Sequence, residues 1–153
     1  MNFLAAIREY IGRIRAEVEA AHRSAPGPKK GVFNSPGDKP WIGVDLDGTL
    51  AFYEPGSSLD TIGPPIAPML KRLRHLLADG WRIKIVTARA ADPEQLVLIQ
   101  QWLRQHDLPP LEITNAKDFS MIRLYDDRAV QVESNTGRII SENSPQEKDV
   151  SET

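Results

Sequence analysis

The sequence lacks cysteine altogether and contains only three histidines among its 153 residues. Without cysteine the chain has no disulfide, no thiolate metal ligand and no cysteine nucleophile, and it suits a reducing compartment. It also lacks an apolar run long enough for a signal peptide or a membrane span, so we expect a cytoplasmic protein with no membrane partner. The net charge of −2, without a long basic run, does not indicate nucleic acid as a partner.

Apolar residues near the amino terminus recur at alternating steps of three and four, at Leu4, Ile7, Ile11, Ile14, Val18 and Ala21. This spacing predicts an amphipathic helix over residues 1–23. It also matches the a and d positions of a short coiled coil. Two interpretations stay open: the helix lies on its own domain, or it forms a homo-oligomer through residues 3–21.

Composition divides the rest of the chain into three segments. Residues 24–39 are rich in proline and glycine, which predicts a linker. Residues 141–153 are polar and acidic without periodicity, which predicts a disordered tail. Residues 40–140 alternate strand and helix patterns and form the predicted folded domain.

The alternation in this domain predicts a β-α-β-α-β order. Strand patterns lie at 41–45, 82–87, 111–114 and 121–125, with helices at 66–79 and after Asp92-Pro93, and a strand-turn-strand over 130–140. Such an order favours an α/β fold, a three-layer Rossmann-like parallel sheet between helices. Ligands of these sheets bind at the carboxyl ends of the strands, so the chemistry is expected there.

Reactive side chains follow each of the predicted core strands. They are Asp45 and Asp47, then Thr87 and Arg89, then Lys117, and finally Asp126 and Asp127. Four carboxylates converging on one point would repel one another unless a cation neutralised them, and hard oxygen ligands suit Mg²⁺. Thr87 and Lys117 would add a hydroxyl donor and a positive charge, which a phosphoryl group under transfer requires.

This set of side chains suits phosphoryl chemistry. A carboxylate such as Asp45 can attack phosphorus and form an aspartyl-phosphate, which divides one difficult displacement into two easier ones. Asp47, two residues on, can protonate the leaving oxygen and later deprotonate water. Gly48 allows a tight turn whose N–H groups face phosphate oxygens. A lone Asp-x-Asp is commonly a solvated loop, but four sites in order at strand ends argue against that interpretation.

The run Asp45-Leu46-Asp47-Gly48-Thr49-Leu50 after an apolar strand resembles the first motif of the haloacid dehalogenase superfamily of phosphohydrolases. Thr87 resembles the second motif, Lys117 the third, and Asp126-Asp127 the fourth. The resemblance covers roughly Trp41 to Ile140 and implies an HAD-like catalytic domain over residues 40–140.

The resemblance implies that Asp45 is the nucleophile and Asp47 the general acid/base. It implies Mg²⁺ bound by the Asp45 carboxylate, the Asp47 backbone carbonyl and an acid of the fourth motif. Asp127 is expected to be the direct ligand and Asp126 its support. The residues expected to hold the phosphate are Thr87 and Lys117.

Four further residues near the motifs have weaker assignments. Thr49 and Leu46 are expected to contribute mainly through backbone geometry. Arg89 and Arg128 have two open roles, contact with substrate or local pairing. The candidate partners for that pairing are Asp126 and Asp118.

Many relatives choose substrates with a cap domain inserted after the first or the third motif. Here residues 51–82 separate the first two motifs, and a predicted helix takes nearly half of them. The remaining loop, 52–65, which we call the flap, is too short for a domain, so the chain resembles a capless member. An open site of this kind is closed by a large phosphorylated substrate, such as a protein or a nucleic-acid end, or by a neighbouring subunit around a small phosphoester.

The leading prediction is therefore an Mg²⁺-dependent phosphomonoester hydrolase. One alternative is a catalytically silent binding or scaffold protein that associates through its N-terminal helix. Another is a phosphotransferase that passes the phosphoryl group to an acceptor other than water. The intact set of four carboxylates argues against lost catalysis.

Overall fold

The computed structural model describes residues 3–24 and 39–141. The elements are α1 (Phe3–Ser24), β1 (Trp41–Asp45), α2 (Ala67–Ala78), β2 (Arg82–Val86), a short 3-10 helix (Ala88–Ala91), α3 (Pro93–Gln105), β3 (Glu112–Thr114), β4 (Met121–Tyr125), β5 (Gln131–Val132) and β6 (Ile139–Ser141). The predicted linker at 24–39 and tail at 141–153 lie almost wholly outside the described residues. The predicted strands and helices of the folded domain are confirmed to within a residue or two.

The helix boundaries follow from local chemistry. Asp92 caps α3, since its Oδ1 accepts from the Glu94 N–H at 2.9 Å and Pro93 occupies the first turn. Helix α2 ends at Ala78, and Gly80, two residues later, has a φ of +82°, which is favourable for glycine. There the Trp81 N–H donates to the Leu76 carbonyl at 3.0 Å, the pattern of a Schellman motif.

Four strands form one parallel sheet in the order β3-β2-β1-β4. Strand β1 is central, with Val44 level with Ile85 on one side and Tyr125 on the other. With α2 and α3 as its crossover helices, this is a Rossmann-like α/β fold. The predicted strand-turn-strand near residue 135 is present as the separate β5–β6 hairpin.

The hydrophobic core lies between the sheet and the helices α2 and α3. Alternate residues of β1 and β2 face it because successive side chains of a strand point to opposite faces. Its central members are Ile42, Val44, Ile83 and Ile85 from the strands and Leu73, Leu76, Ile99 and Leu103 from the helices. This apolar layer holds the strand ends in fixed register.

The opposite face of the sheet carries polar contacts with the connection from β3 to β4, residues 115–120. The Trp41 indole N–H donates to Asp118 Oδ1 at 2.8 Å, and Lys84 Nζ lies 3.5 Å from Asp118 Oδ2. Lys84 also pairs with Glu112 at 2.8 Å and lies 4.4 Å from the Trp41 ring centroid. This connection contains no helix, so the three-layer arrangement stays a prediction.

Helix α1 packs against α3, and Ile7 and Ile14 are buried. This contact corresponds to the interpretation in which the helix lies on its own domain; self-association through residues 3–21 stays a prediction. Ile11, between Ile7 and Ile14, is half-buried, and the other three seam positions, Leu4, Val18 and Ala21, are outside the side chains that the structure describes. None of the helices in the described ranges is both long enough and apolar enough to cross a membrane.

Candidate active site

Two neighbouring strands deliver acidic residues to the same edge of the sheet. Asp45 is the last residue of β1, and its neighbour Val44 is level with Tyr125, the last residue of β4. Asp126 and Asp127 follow directly, so the parallel register carries them to Asp45. The predicted convergence at the strand ends is thus observed for three of the four carboxylates.

Asp45, Asp126 and Asp127, which we call the acid cluster, each offer a carboxylate oxygen within 4.8 Å of the others. Burial raises the pKa of Asp45 to about 7, against the effect of the Leu46 backbone N–H, and the charges of Asp126 and Asp127 add to the rise. Asp126 and Asp127 therefore both disfavour the ionised form of Asp45. A bound cation would remove that repulsion, and three hard oxygens match the donors that Mg²⁺ prefers.

Thr49 joins the two strand ends through its side chain. Its Oγ1 lies 3.2 Å from Asp127 Oδ1 and 3.4 Å from Asp45 Oδ2, and it accepts from the Asp127 N–H at 2.9 Å. The residue is buried, with 7% of its surface exposed. The expectation that Thr49 contributes mainly through backbone geometry therefore misses its hydroxyl, which links the two ends directly.

The chain reverses tightly after β1. The Leu46 carbonyl accepts from the N–H groups of Thr49, Leu50 and Ala51 at 3.3, 2.9 and 2.8 Å. Gly48 has a φ of +91°, and a Cβ there would lie 2.6 Å from Asp127 Oδ2. Two constraints therefore favour glycine at this position: the positive φ of its backbone and the close approach of the Asp127 side chain.

Asp47 does not join the acid cluster through its side chain. Its Oδ2 accepts from Arg89 Nε at 2.7 Å and its Oδ1 from Arg89 Nη2 at 2.9 Å. The Arg89 side chain is 3% exposed and that of Asp47 is 18% exposed. Both oxygens of the predicted acid/base are thus occupied by a buried guanidinium, a bidentate geometry that is strong and specific.

The predicted phosphate ligands differ in how the structure places them. Thr87 is buried next to the end of β2, and its Oγ1 accepts from the Arg89 N–H at 3.2 Å, which leaves its hydroxyl proton to donate. Lys117 is exposed on the β3–β4 connection. Within residues 3–24 and 39–141, no ion pair or hydrogen bond of its ammonium is found. The role of Lys117 therefore stays a prediction.

The two arginines with open roles also differ. Arg89 pairs with Asp47 and with neither Asp126 nor Asp118. Arg128 is exposed, with its Nε 3.8 Å from Asp127 Oδ2 and its Cζ 5.9 Å from the Tyr53 ring centroid. Its backbone N–H donates to Asp126 Oδ1 at 2.7 Å. Arg128 thus stands beside the acid cluster, where contact with a substrate anion is geometrically open.

The flap, residues 52–65, is held at both of its ends. The Phe52 N–H donates to the Pro64 carbonyl at 2.8 Å, and the Ile66 N–H donates to the Leu50 carbonyl at 2.8 Å. The Trp102 indole of α3 donates to the Gly63 carbonyl at 2.8 Å. The flap is therefore anchored at its base and to α3.

Two features of the site were not predicted from the sequence. They are the Thr49 hydroxyl, which links Asp45 and Asp127, and the Asp47–Arg89 ion pair. The signal for the first was a threonine two residues after Asp47, since a short side chain directly after a tight turn can reach back to a strand end. No local signal marks the second, because the partners are 42 residues apart in sequence.

No protein-family model matches the chain, and no curated protein matches it either. A solved structure that resembles it is described as a conserved protein from Bacteroides thetaiotaomicron, with 22% sequence identity and a TM-score of 0.48. The similar region covers 61% of this chain and 79% of that one. A likeness of that size carries no argument about function.

Proposed function

We propose that this chain is an Mg²⁺-dependent phosphomonoester hydrolase that works through an aspartyl-phosphate on Asp45. The observation that carries the proposal is the acid cluster at the end of β1, where burial and two neighbouring acids raise the pKa of Asp45 to about 7. Carboxylates crowded at the end of a parallel strand are costly to the fold and suit a functional site.

We further propose that the domain is a capless member of the haloacid dehalogenase superfamily, with a three-layer sheet. The strand order β3-β2-β1-β4, the tight turn after Asp45 and the four motif positions support this assignment. The flap, α2 and β2 account for nearly all of the chain between the first two motifs, which is consistent with the absence of a cap.

The Asp45 carboxylate, the Asp47 backbone carbonyl and the Asp127 carboxylate would hold Mg²⁺, with Asp126 in support. A bound Mg²⁺ neutralises the crowded carboxylates and stabilises negative charge on the transferring phosphoryl group. Thr49 keeps Asp127 oriented toward Asp45 through its hydroxyl. Two of the proposed metal ligands, Asp45 and Asp127, are thus linked by Thr49 without an ion.

The first half of the reaction transfers the phosphoryl group to the protein. An Asp45 carboxylate oxygen attacks phosphorus, the ester P–O bond breaks, and the leaving oxygen takes a proton from Asp47. Thr87 donates its hydroxyl proton to a phosphoryl oxygen, and Lys117 adds positive charge from the β3–β4 connection. Arg128, beside Asp127, is available to a more distant part of the substrate.

The second half returns Asp45 to its initial state. Water attacks phosphorus and gives a proton to Asp47, the bond between phosphorus and the Asp45 oxygen breaks, and inorganic phosphate leaves. Both Asp47 oxygens accept from Arg89, so release of one of them would favour exchange of a proton between Asp47 and substrate or water.

The open site is consistent with two kinds of substrate. A large phosphorylated partner would cover it directly, whereas a small phosphoester would need a neighbouring subunit, for which residues 3–21 are the candidate contact. A phosphotransferase that replaces water by another acceptor would use the same residues. A silent scaffold would not need the crowded acids, which favours the enzyme.

Hydrolysis of a generic aryl phosphate with Mg²⁺ tests the proposal, with Asp45→Asn as the key variant. Loss of the nucleophile is expected to lower kcat by about 10⁴-fold or more. Asp92→Asn is the matched control, because an asparagine there still caps α3 and the site is untouched. Equal rates in wild type and Asp45→Asn would refute the nucleophile, and no turnover across a broad phosphoester panel would refute the hydrolase.

A further inference from the structure

The guanidinium of Arg89 connects three separate parts of the chain. Nε and Nη2 donate to the two oxygens of Asp47 at 2.7 and 2.9 Å. Nη1 and Nη2 also donate to the flap carbonyls of Leu59 at 2.7 Å and Thr61 at 3.2 Å. Nη1 donates once more to Gln95 Oε1 on α3 at 2.7 Å. These five bonds use every N–H that a guanidinium has.

This arrangement makes the position of Asp47 depend on the position of the flap. Arg89 is buried, so any acceptor that moves away leaves a desolvated N–H without a partner, which is costly. Two of the five acceptors are backbone carbonyls of the flap, and two are the oxygens of Asp47. If the flap shifts, the guanidinium must reorient, and its two hydrogen bonds to Asp47 change. If Asp47 is altered, the guanidinium reorients as well, and its hydrogen bonds to the flap carbonyls weaken.

We propose that Arg89 is a positioning residue that couples the flap to the orientation of Asp47. With the flap as observed, Arg89 holds both Asp47 oxygens. When a substrate displaces the flap carbonyls, the guanidinium turns and releases one Asp47 oxygen for proton transfer. The role of this coupling in proton transfer rests on the proposed function. The coupling itself is a property of the fold and is measurable without turnover.

Hydrogen exchange of the flap tests the coupling directly. In Arg89→Lys the charge remains, but an ammonium has three donors and cannot bond all five acceptors of the guanidinium. The Phe52 amide, bonded to the Pro64 carbonyl, is expected to exchange at least about tenfold faster in this variant. Asp47→Asn is expected to speed exchange of the same amide, because coupling acts in both directions. The double variant should exchange little faster than either single variant.

The matched control is Arg82→Lys. Arg82 begins β2, the strand after which Arg89 lies, and pairs with Glu112 at 3.0 Å away from the flap. In Arg82→Lys, the Phe52 amide of the flap should exchange at the wild-type rate. Flap exchange at the wild-type rate in Arg89→Lys, or effects of Asp47→Asn and Arg89→Lys that multiply independently, would overturn the coupling. If Arg89→Lys fails to fold, Asp47→Asn decides alone, and wild-type flap exchange in it overturns the proposal.

Kinetics separate positioning from direct substrate binding. A misplaced Asp47 is expected to lower kcat about 10- to 100-fold in Arg89→Lys, with KM nearly unchanged. A raised KM with unchanged kcat would make Arg89 a substrate ligand and overturn the positioning role. If the wild type hydrolyses no phosphoester, the proposed function fails, and the exchange experiment still decides the coupling.

Discussion

The small parallel sheet carries two groups of carboxylates in contrasting surroundings. In the acid cluster, three carboxylates crowd together, and among the described residues the exposed Arg128, 3.8 Å from Asp127, is the nearest cation. On the face away from α2 and α3, Glu112 and Asp118 instead meet Lys84 and Arg82; we call these four residues and Trp41 the paired cluster.

The pKa shifts in the two groups have opposite signs. Burial raises the pKa of Asp45, and the neighbouring acids add to the rise. Burial also acts to raise the pKa of Glu112, but the bonds from Lys84 and Arg82 outweigh it and hold that pKa below its usual value. Charges compensated within the fold stabilise it, whereas crowded carboxylates without a partner are typical of sites that bind a ligand.

Mg²⁺ is expected to have the largest effect, and only on the acid cluster. A ligand that binds the folded state alone adds about 2.7 kcal/mol to the free energy of unfolding at one hundred times its dissociation constant. The melting temperature of the wild type should therefore rise with Mg²⁺ concentration, and chelation should reverse the rise. In Asp127→Asn the rise should be largely lost, and an undiminished rise there would place the ion elsewhere.

Replacement of Lys84 is expected to destabilise the paired cluster. The Lys84 side chain is 8% exposed, so Lys84→Met leaves Asp118 without its cation and Glu112 with Arg82 alone. Removal of one partner from a buried ion pair is strongly unfavourable, and because both acids are partly exposed we expect a loss of about 2 kcal/mol. Urea unfolding would measure it, with Lys71→Met on the exposed side of α2 as control. Equal stability of the two variants would contradict the role of Lys84.

The pH dependence of stability should separate the two groups by sign. The pKa of Asp45 is raised in the folded state, so between about pH 4 and pH 7 the folded chain binds more protons than the unfolded one. Its contribution to the free energy of unfolding is therefore full at acid pH and decreases as pH rises through that window. The lowered pKa of Glu112 acts oppositely, so its contribution is lost as pH falls below the usual glutamate range.

With divalent cations chelated, Asp45→Asn should thus be more stable than the wild type at pH 7.5, by about 1 kcal/mol once solvent screening is allowed for. The two proteins should converge near pH 3, below the ordinary aspartate pKa of 3.8, because Asp45 is then largely protonated in both states. Urea midpoints at the two pH values measure this, and a variant less stable than the wild type at pH 7.5 would contradict crowding at Asp45.

The convergence of Asp45, Asp126 and Asp127 was predictable from sequence because parallel strands end at the same edge of a sheet. The structure adds that β1 and β4 are neighbours, which brings Asp45 and Asp127 together. The Asp47–Arg89 pair was not predictable in this way. Its geometry depends on how the flap folds back, since carbonyls of Leu59 and Thr61 complete the shell of Arg89.

The burial of Lys84 in the paired cluster was likewise not predictable from the sequence pattern. The alternation of Arg82-Ile83-Lys84-Ile85 predicts a strand correctly, and by pattern alone Lys84 should point to solvent. The structure buries Lys84 because the short β3–β4 connection brings Asp118 over the sheet. Loop paths of this kind carry no periodic signal, so the environment of a single side chain beneath one stays hidden in the sequence.

The smallest expected effect belongs to Asp118, at the exposed side of the paired cluster. Asp118→Asn keeps an oxygen that accepts from the Trp41 indole and the Ser120 N–H, and it removes the charge that faces Lys84 at 3.5 Å. A half-exposed ion pair of that length contributes little, so the free energy of unfolding should fall by about 0.5 kcal/mol or less. Asp118→Ala removes the hydrogen bonds as well and should cost more, about 1 to 2 kcal/mol. If the two variants were equally destabilised, the charge rather than the hydrogen bonds would anchor the β3–β4 connection, and salt should then weaken the wild type but neither variant.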